Sequence, residues 1–508
     1  LCVPRRSRMD RTFKRILRDE GATERLGNDI AAALRPGDAV LLHGDLGAGK
    51  TSLARAVIRS LAGDRALEVP SPTFTLVQNY ALRFPVQHVD LYRLADPGEV
   101  EELALDEALE ESVILVEWPE RAPGTFADAI EVRLSEKDDG REAEITAPEE
   151  AAARLERAFR IRAFLETAGQ GDAWRVHLVG DASARTYETI HPSAGTPLVL
   201  MNAPERRDEP VIRHGLPYSR IARLSCSVSA FVAVANALRR AGISAPEIYA
   251  QDLDQGLLLL EHLGTGSFLG SGGEPVAERY EAAARLLAYL HELEWPRSLP
   301  VPGGQDHVVP DYDHAAMAIE TELLLDWYLP YVKGRDATAE ERREFSRLWD
   351  ELFRRLDKAE KSLVLRDYHS PNIIWREDRQ GLDRLGVIDI QDAVCGPAAY
   401  DVASLALDGR ATISPQLERT ILDAYCAART APGFDRVAFE EAYAITAAQR
   451  NTKLLGIFVR LDRRDGKPAY LAHLPRIRGY LTRLFGHPAL EDLAAFYQRH
   501  GFLDGEIE

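Results

Sequence analysis

"LVLRDYHSPNIIW", residues 363–375, is an apolar run interrupted by one compact polar turn. Asp367 is followed five positions later by Asn372, and the apolar frame resumes at Ile373. A second strand-like run, "LGVIDIQDA", comes next and carries Asp389 near its end. The order strand, Asp, loop, Asn, strand, Asp brings three oxygen-bearing side chains to one cleft. Phosphoryl transfer to a hydroxyl asks the protein for little more. A carboxylate takes or orients the hydroxyl proton, and oxygen ligands hold Mg²⁺ against the phosphates. The spacing assigns Asp367 as the base, with Asn372 and Asp389 as metal ligands. The plainer reading makes Asp367 and Asn372 turn residues and Asp389 a strand-end acid. All three spacings holding together favours the chemistry.

The flanking sequence fits a bilobal α+β, protein-kinase-like layout. From about residue 171, "WRVHLVGDASARTYETIHP" and "TPLVLMNAP" read as an antiparallel sheet. A long helix is expected over 219–240, closing at Gly242, and "GLLLLEHLG" reads as a buried strand. The remainder is mostly helical. A small sheet lobe thus spans about 171–262 and a large helical lobe about 263–508. Backbone groups at Glu261 and Leu263, where the lobes join, would read an adenine edge. Met201 stands near the place where a protein kinase keeps its phosphate-binding Lys, and the expected helix offers no Glu partner. Arg185, in the loop "GDASARTY", is the candidate to neutralise phosphates; a surface Arg is the alternative. His369 could reach sugar or phosphate, or bond within its own loop. Arg450 and Lys453, in "QRNTKLLGIF", could line an acceptor pocket or a solvated helix face.

A second device lies far upstream. "GDLGAGKT", residues 44–51, fits G-x-x-x-x-G-K-[ST] between the strand "AVLLHG" and a helical run ending at Gly63. Gly44, Gly47 and Gly49 let the backbone curl through Asp45, Leu46 and Ala48, so that successive N–H groups face phosphates. The helix N-terminus at Lys50, Thr51 and Ser52 adds its dipole. Lys50 would reach the β- and γ-phosphates, and the Thr51 hydroxyl would ligate Mg²⁺. Asp90, after "PVQHV", and Glu117, after "VILV", are carboxylates placed to serve metal and water. Taken singly, each could be a solvated strand-end acid. The α/β P-loop NTPase domain is expected over 18–147, after an N-terminal extension 1–17. A charged linker helix is expected over 148–170.

Composition sets the limits. The chain has 508 residues, 45% apolar and 28% charged, with a formal net charge of −18. An acidic chain is poorly suited to sequence-independent nucleic-acid binding, which needs a basic face. Cys2, Cys226, Cys395 and Cys426 form no C-x-x-C pair, so neither a disulfide framework nor a zinc site is expected. No apolar run approaches the roughly 20 residues of a membrane span. The Arg-rich start carries no secretory pattern, and Met9 is a candidate for the true translation start, with a targeting peptide as the alternative. A reducing cytoplasm fits.

Four blocks in order, "GDLGAGKTSLARA", "SPTFTLVQNY", "HVDLYRL" and "VEWPER", resemble TsaE, the small ATPase of bacterial tRNA threonylcarbamoyladenosine biosynthesis. The resemblance implies ATP at Gly44–Thr51 and a switch-like loop at Ser71–Phe74. It further implies metal service by Asp90 and Glu117, and packing of Trp118 by the nucleotide. It implies work in a complex with the two paralogous threonylcarbamoyl-transferase subunits, which touch the tRNA; this chain would do so only indirectly. Downstream, the stretch around Asp367, together with "GPAAYDVASL", resembles the aminoglycoside phosphotransferase superfamily, which implies that Asp401 is a buried structural acid. More narrowly, "GDASARTY", "LVLMNAP", "LLLLEHLG", "RDYHSPNIIW", "GVIDIQDAVCGPAAYDVASL" and "QRNTKLLGIF" resemble the AmgK anomeric kinases. These act on N-acetylmuramate and N-acetylglucosamine with ATP and Mg²⁺. They too have an apolar residue at the Met201 position. The alternatives are a kinase for another hydroxyl, such as an aminoglycoside or a choline-like molecule, and a non-catalytic scaffold for the tRNA-modification complex.

Overall fold

The computed structural model describes residues 10–94, 99–100, 103–138, 140–178, 185–205 and 210–504. Cys2, Met9, Asp139 and residues 180–184 of "GDASARTY" lie outside them. The chain forms two compact units, Leu1–Asn202 and Ala203–Glu508.

The first unit is built on β1 (Arg11–Leu17), α1 (Glu20–Ala33), β2 (Ala39–His43), α2 (Lys50–Ala62), β3 (Val77–Ala81) and β4 (Pro85–Asp90). It continues with α3 (Leu105–Leu109), β5 (Val113–Glu117), β6 (Ile130–Lys137), β7 (Gly140–Ala147) and α4 (Glu149–Thr167). Seven strands make one sheet in the order β1-β7-β6-β2-β5-β4-β3. β2 runs parallel to both β5 and β6, and β4 parallel to β5. Ala39–Leu42 and Val113–Val116 are buried throughout, as parallel strands covered on both faces must be. Part of the expected N-terminal extension is thus structured. Arg11–Leu17 sets Phe13, Arg15 and Leu17 on its less exposed face, and it pairs antiparallel with β7 at the sheet edge.

The first unit also takes in α4 and the strands β8 (Trp174–Leu178), β9 (Thr186–His191) and β10 (Leu198–Asn202), an antiparallel meander. A buried polar network explains why β8 and β9 join the P-loop domain. Asn28 on α1 pairs reciprocally with the backbone of Arg175: its Nδ2 donates to the carbonyl at 2.7 Å and its Oδ1 accepts from the amide at 3.1 Å. Asp29 accepts from Arg162 of α4 at 2.9 Å and from Arg175 of β8 at 2.7 Å. Arg175 then grips Glu188 of β9 with two bonds, 2.6 and 2.9 Å. Each buried charge therefore has a partner, as burial demands.

The second unit begins with β11 (Val211–Arg213), β12 (Leu216–Pro217), α5 (Tyr218–Ile221), α6 (Val228–Arg240), β13 (Ile248–Asp252) and β14 (Leu257–Glu261). After α7 (Ala277–Glu292), β15 (Ser298–Leu299) and β16 (His307–Val308) come α8 (His314–Thr321), α9 (Leu329–Lys333) and α10 (Ala339–Leu356). Then come β17 (Lys361–Val364), β18 (Ile373–Trp375), β19 (Leu385–Val387), β20 (Val394–Pro397), α11 (Ala399–Ala406), α12 (Pro415–Ala428), α13 (Arg436–Arg463), α14 (Leu474–Leu484) and α15 (Glu491–His500). The single helix expected over 219–240 is two. Arg223 adopts φ +59°, and Ser227 caps the restart by accepting from Ser229 N at 3.1 Å. β17 pairs with β20 and β18 with β19, which folds residues 361–397 into two linked ribbons. α13, buried along much of its length, runs for 28 residues and packs on α11 and α14. No helix among the described residues is long and apolar enough to cross a membrane.

Candidate active sites

In the first unit the chain leaves β2 at His43 and curls through residues 44–49 into α2. Gly44, Gly47 and Gly49 take φ of +144°, +83° and +102°. A side chain at position 44 would meet the Leu134 carbonyl at 2.7 Å, so the loop needs glycine there. Gly49 caps α2 without a side-chain bond, which keeps the first helical N–H groups available to an anion. Lys50 is buried inside the curl. Its ammonium donates to the Gly44 and Asp45 carbonyls at 2.6 and 2.9 Å and lies 3.5 Å from the centre of the Trp118 ring. Burial lowers its pKa against the pull of Glu117, Glu120, Asp90 and Asp45. A phosphate would offer this ammonium a stronger acceptor than a carbonyl.

Thr51 Oγ1 donates to Glu117 Oε2 at 2.7 Å, and His88 Nε2 meets Glu117 Oε1 at 2.9 Å. Asp90 stands beside Glu117 in register across the parallel β4–β5 pair. It accepts from Ser71 and Thr73 at 2.9 and 3.1 Å, so the loop 71–74 is tied to this carboxylate. Leu46 and Ser52 face solvent. Two neighbours were not singled out from the sequence. One is His88, wholly buried against Glu117. The other is Arg141, whose Nη2 reaches the Gly47 carbonyl at 3.3 Å. His88 sits two residues before Asp90 on the same strand, and that alternation was the available signal.

In the second unit Asn372 lies between the Asp367 backbone and the Asp389 side chain. Arg366 turns the chain at φ +68° and Asp389 at φ +58°. Asn372 Nδ2 donates to the Asp367 carbonyl at 3.0 Å and lies 3.4 Å from Asp389 Oδ2. Gln391 holds Asp389 Oδ1 at 2.9 Å. Asp401 is fully buried and accepts from the Leu365 and Arg366 amides at 2.6 and 2.8 Å, which ties the turn before Asp367 to α11. Burial alone would raise the Asp367 pKa. The Lys453 ammonium, His369 in its protonated form and the Arg366 and Arg450 guanidinium groups outweigh it and hold the carboxyl below its ordinary range.

Arg450 and Lys453 do not form a solvated helix face; both are buried on α13. Arg450 Nη1 donates to the Leu407 carbonyl at 3.3 Å. Lys453 Nζ pairs with Glu320 Oε1 at 2.9 Å. His369 keeps a buried Nδ1 without a hydrogen-bond partner among the described residues. Glu320, which the sequence reading passed over, is 1% exposed and also takes the Arg366 guanidinium and the Tyr312 hydroxyl. Asp408, likewise passed over, accepts from the Ser370 amide at 2.9 Å. Glu261 ends β14, and its amide already donates to the Glu247 carbonyl at 2.8 Å. That removes its N–H from any adenine contact and leaves its carbonyl and the Leu263 backbone for the role. Arg185 is half-buried directly before β9.

The donor sets suit Mg²⁺. Thr51 with Glu117 and Asp90, and Asn372 with Asp389, are hard oxygen ligands few enough to leave room for substrate phosphates, the usual Mg²⁺ arrangement. Among the described residues no group of three or more His, Cys, Asp or Glu side chains is gathered to hold a metal by itself.

The family model "Threonylcarbamoyl adenosine biosynthesis protein TsaE" matches residues 17–144, and the model "Phosphotransferase enzyme family" matches residues 174–439. The chain is 36% identical over 355 residues to the N-acetylmuramate/N-acetylglucosamine kinase of Caulobacter vibrioides, covering 68% of this chain and 97% of that one. It is 42% identical over 126 residues to the tRNA threonylcarbamoyladenosine biosynthesis protein TsaE of Rickettsia bellii, covering 24% of this chain and 87% of that one. With the Rickettsia felis TsaE it shares 46% identity over 106 residues, 61% of that protein. A P-loop ATPase fold and an ATP-dependent phosphotransferase fold therefore stand in one polypeptide. The chain belongs to the phosphotransferase enzyme family, with a TsaE domain fused ahead of it.

Proposed function

We propose that the second half transfers the γ-phosphoryl of ATP to the anomeric hydroxyl of N-acetylmuramate or N-acetylglucosamine, in cell-wall recycling. The first half would hydrolyse ATP in support of tRNA threonylcarbamoyladenosine formation. The observation that carries the kinase reading is the placement of Asn372 between the Asp367 backbone and the Asp389 side chain, 3.4 Å from Asp389 Oδ2. Asp367, kept ionised by surrounding cations, accepts the anomeric proton as the hydroxyl attacks. Asn372 and Asp389 would hold Mg²⁺, which supplies charge neutralisation at the phosphates. Arg185 would assist there, and the Leu263 backbone would read the adenine. In the first half the curl 44–49, Lys50 and the α2 N-terminus bind phosphates. Thr51, Asp90 and Glu117 would serve Mg²⁺ and water, with Trp118 packing by the nucleotide. The implied partners are the two paralogous threonylcarbamoyl-transferase subunits, with tRNA met only through them, in the cytoplasm.

Phosphate release and sugar-phosphate formation in wild type, Lys50→Ala and Asp367→Asn test this division. Asp367→Asn should abolish sugar phosphorylation and spare hydrolysis by the first half; Lys50→Ala should do the reverse. Sugar phosphorylation that survives Asp367→Asn but dies with Lys50→Ala overturns it. A wild type that phosphorylates an aminoglycoside or choline, but neither sugar, moves the acceptor elsewhere.

A further inference from the structure

The buried cations around Asp367 are not equivalent. Glu320, on α8, meets four donors. Its Oε1 takes the Arg366 guanidinium and the Lys453 ammonium, the latter at 2.9 Å. Its Oε2 takes the Tyr312 hydroxyl and, at 3.1 Å, Gln449 Nε2. Gln449 and Lys453 are four residues apart and share one face of α13. Lys453 also approaches the Tyr400 hydroxyl at 3.4 Å. Arg366 is fixed further by donation to the Ala222 carbonyl at 2.9 Å. Both cations are therefore held in place before any substrate arrives. Arg450 differs. It is 4% exposed, yet among the described residues its guanidinium has one hydrogen bond, long at 3.3 Å, to a neutral carbonyl. The Asp367 carboxylate lies in its field, but among the described residues no hydrogen bond joins the two, so the guanidinium keeps donors for a further anion. His369 lies in the same field, since Arg450 and Asp367 both act on its ring, and its Nδ1 is a buried polar atom without a hydrogen-bond partner among the described residues.

We propose that Glu320 is a positioning residue that separates these cations into two sets, committing Arg366 and Lys453 to the catalytic turn and leaving Arg450, with His369, to receive the carboxylate of an acidic acceptor sugar. This rests on the amino-sugar reading and refines it, because the two sugars differ at the relevant point. N-acetylmuramate carries a lactyl carboxylate; N-acetylglucosamine does not. Two cations sharing one Glu320 carboxylate also leave net positive charge beside Asp367.

The test uses the full chain and steady-state kinetics with both sugars at saturating ATP and Mg²⁺. Arg450→Gln should raise KM for N-acetylmuramate about tenfold or more, the weight of a charge-assisted contact, and leave KM for N-acetylglucosamine nearly unchanged. Lys453→Met and Glu320→Gln should lower kcat for both sugars alike, with KM little moved. Hydrolysis by the first half and the thermal unfolding profile serve as folding controls. Should Glu320→Gln fail to fold, the contrast between Arg450→Gln and Lys453→Met still decides. Equal losses on both sugars in Arg450→Gln, or a loss confined to N-acetylmuramate in Lys453→Met, overturns the assignment. A wild type that phosphorylates neither sugar instead overturns the acceptor reading on which it rests.

Discussion

Asp401 Oδ1 accepts from the Arg366 amide at 2.8 Å, while its Oδ2 accepts from the Leu365 amide at 2.6 Å. One wholly buried carboxylate thus fixes the two residues before Asp367, the proposed base. It does so at a point where Arg366 is held at φ +68°, a conformation that costs about 1–3 kcal/mol in a non-glycine residue. Asp401→Asn keeps the shape but exchanges one oxygen for a donor that faces another N–H. The expected loss is about 3 kcal/mol of stability, read by urea unfolding of the full chain. Sugar phosphorylation should fall at least tenfold, because the base moves with its backbone. Unchanged turnover would show that the turn is held by Glu320 and Asp408 alone.

Arg185→Ala tests what replaces the missing phosphate-binding Lys. The strand that would carry that Lys presents buried Met201 instead. Removal of Arg185 should raise KM for ATP in sugar phosphorylation, or cut turnover, and leave hydrolysis by the first half intact. If neither parameter moves, phosphate charge is balanced by other groups.

Acid should weaken the second unit in a defined window. Burial pushes the Glu320 pKa up, but Lys453, Arg366 and the Tyr312 hydroxyl win and bring it from 4.5 down to about 2. A depressed folded value means that the unfolded chain takes up the proton first. The stabilisation is therefore complete above pH 4.5 and fades as pH falls from 4.5 toward 2. Glu341, gripped by Arg335 and by the Thr338 amide, is lowered to about 2 as well and adds to the same window. Urea midpoints measured from pH 7 to pH 2.5 should be flat at first and then drop. Glu341→Gln should make the drop shallower.

Two glycines should resist substitution although both lie in helices. Alanine is favoured over glycine inside a helix by about 1 kcal/mol. At Gly456, on α13, the added methyl would press into the Leu323 carbonyl; at Gly27, on α1, it would press into Ala56 of α2. Overpacking of this kind costs about 1–3 kcal/mol and should win. Gly456→Ala and Gly27→Ala are each expected to lower stability in thermal unfolding, whereas Gly479→Ala on α14, where nothing lies within 4 Å, should raise it.

What could be read from the sequence was what the chain keeps local. The curl 44–51 and the turn from Asp367 to Asn372 each occupy one short segment, so spacing alone carried them. Asp401 came from a resemblance, and its two amide bonds now give that role a physical cause. Glu320 was invisible for the opposite reason. "HAAMAIET" reads as an ordinary half-apolar helix, and the meaning of its Glu depends on Arg366 and Lys453, 46 and 133 residues away. The break between α5 and α6 had a local signal that periodicity overrode: the Ser225 and Ser227 hydroxyls accept from the Ser227 and Ser229 amides. β1 was lost because its apolar members are few and its charges suggested a tail.

The Asn28–Asp29–Arg175 seam bears on how the protein can be taken apart. The family models part between residues 144 and 174, which invites a cut there. Severed at that point, the front piece would retain Asp29 and Arg162 without Arg175, and the back piece would start one residue before an arginine whose charge partner Asp29, and backbone partner Asn28, had been left behind. Homology marks where two ancestries meet; the polar clamp marks where the molecule itself has ceased to honour that border. A gene fusion has here become a shared foundation, and a cut at the border of the family models would divide it.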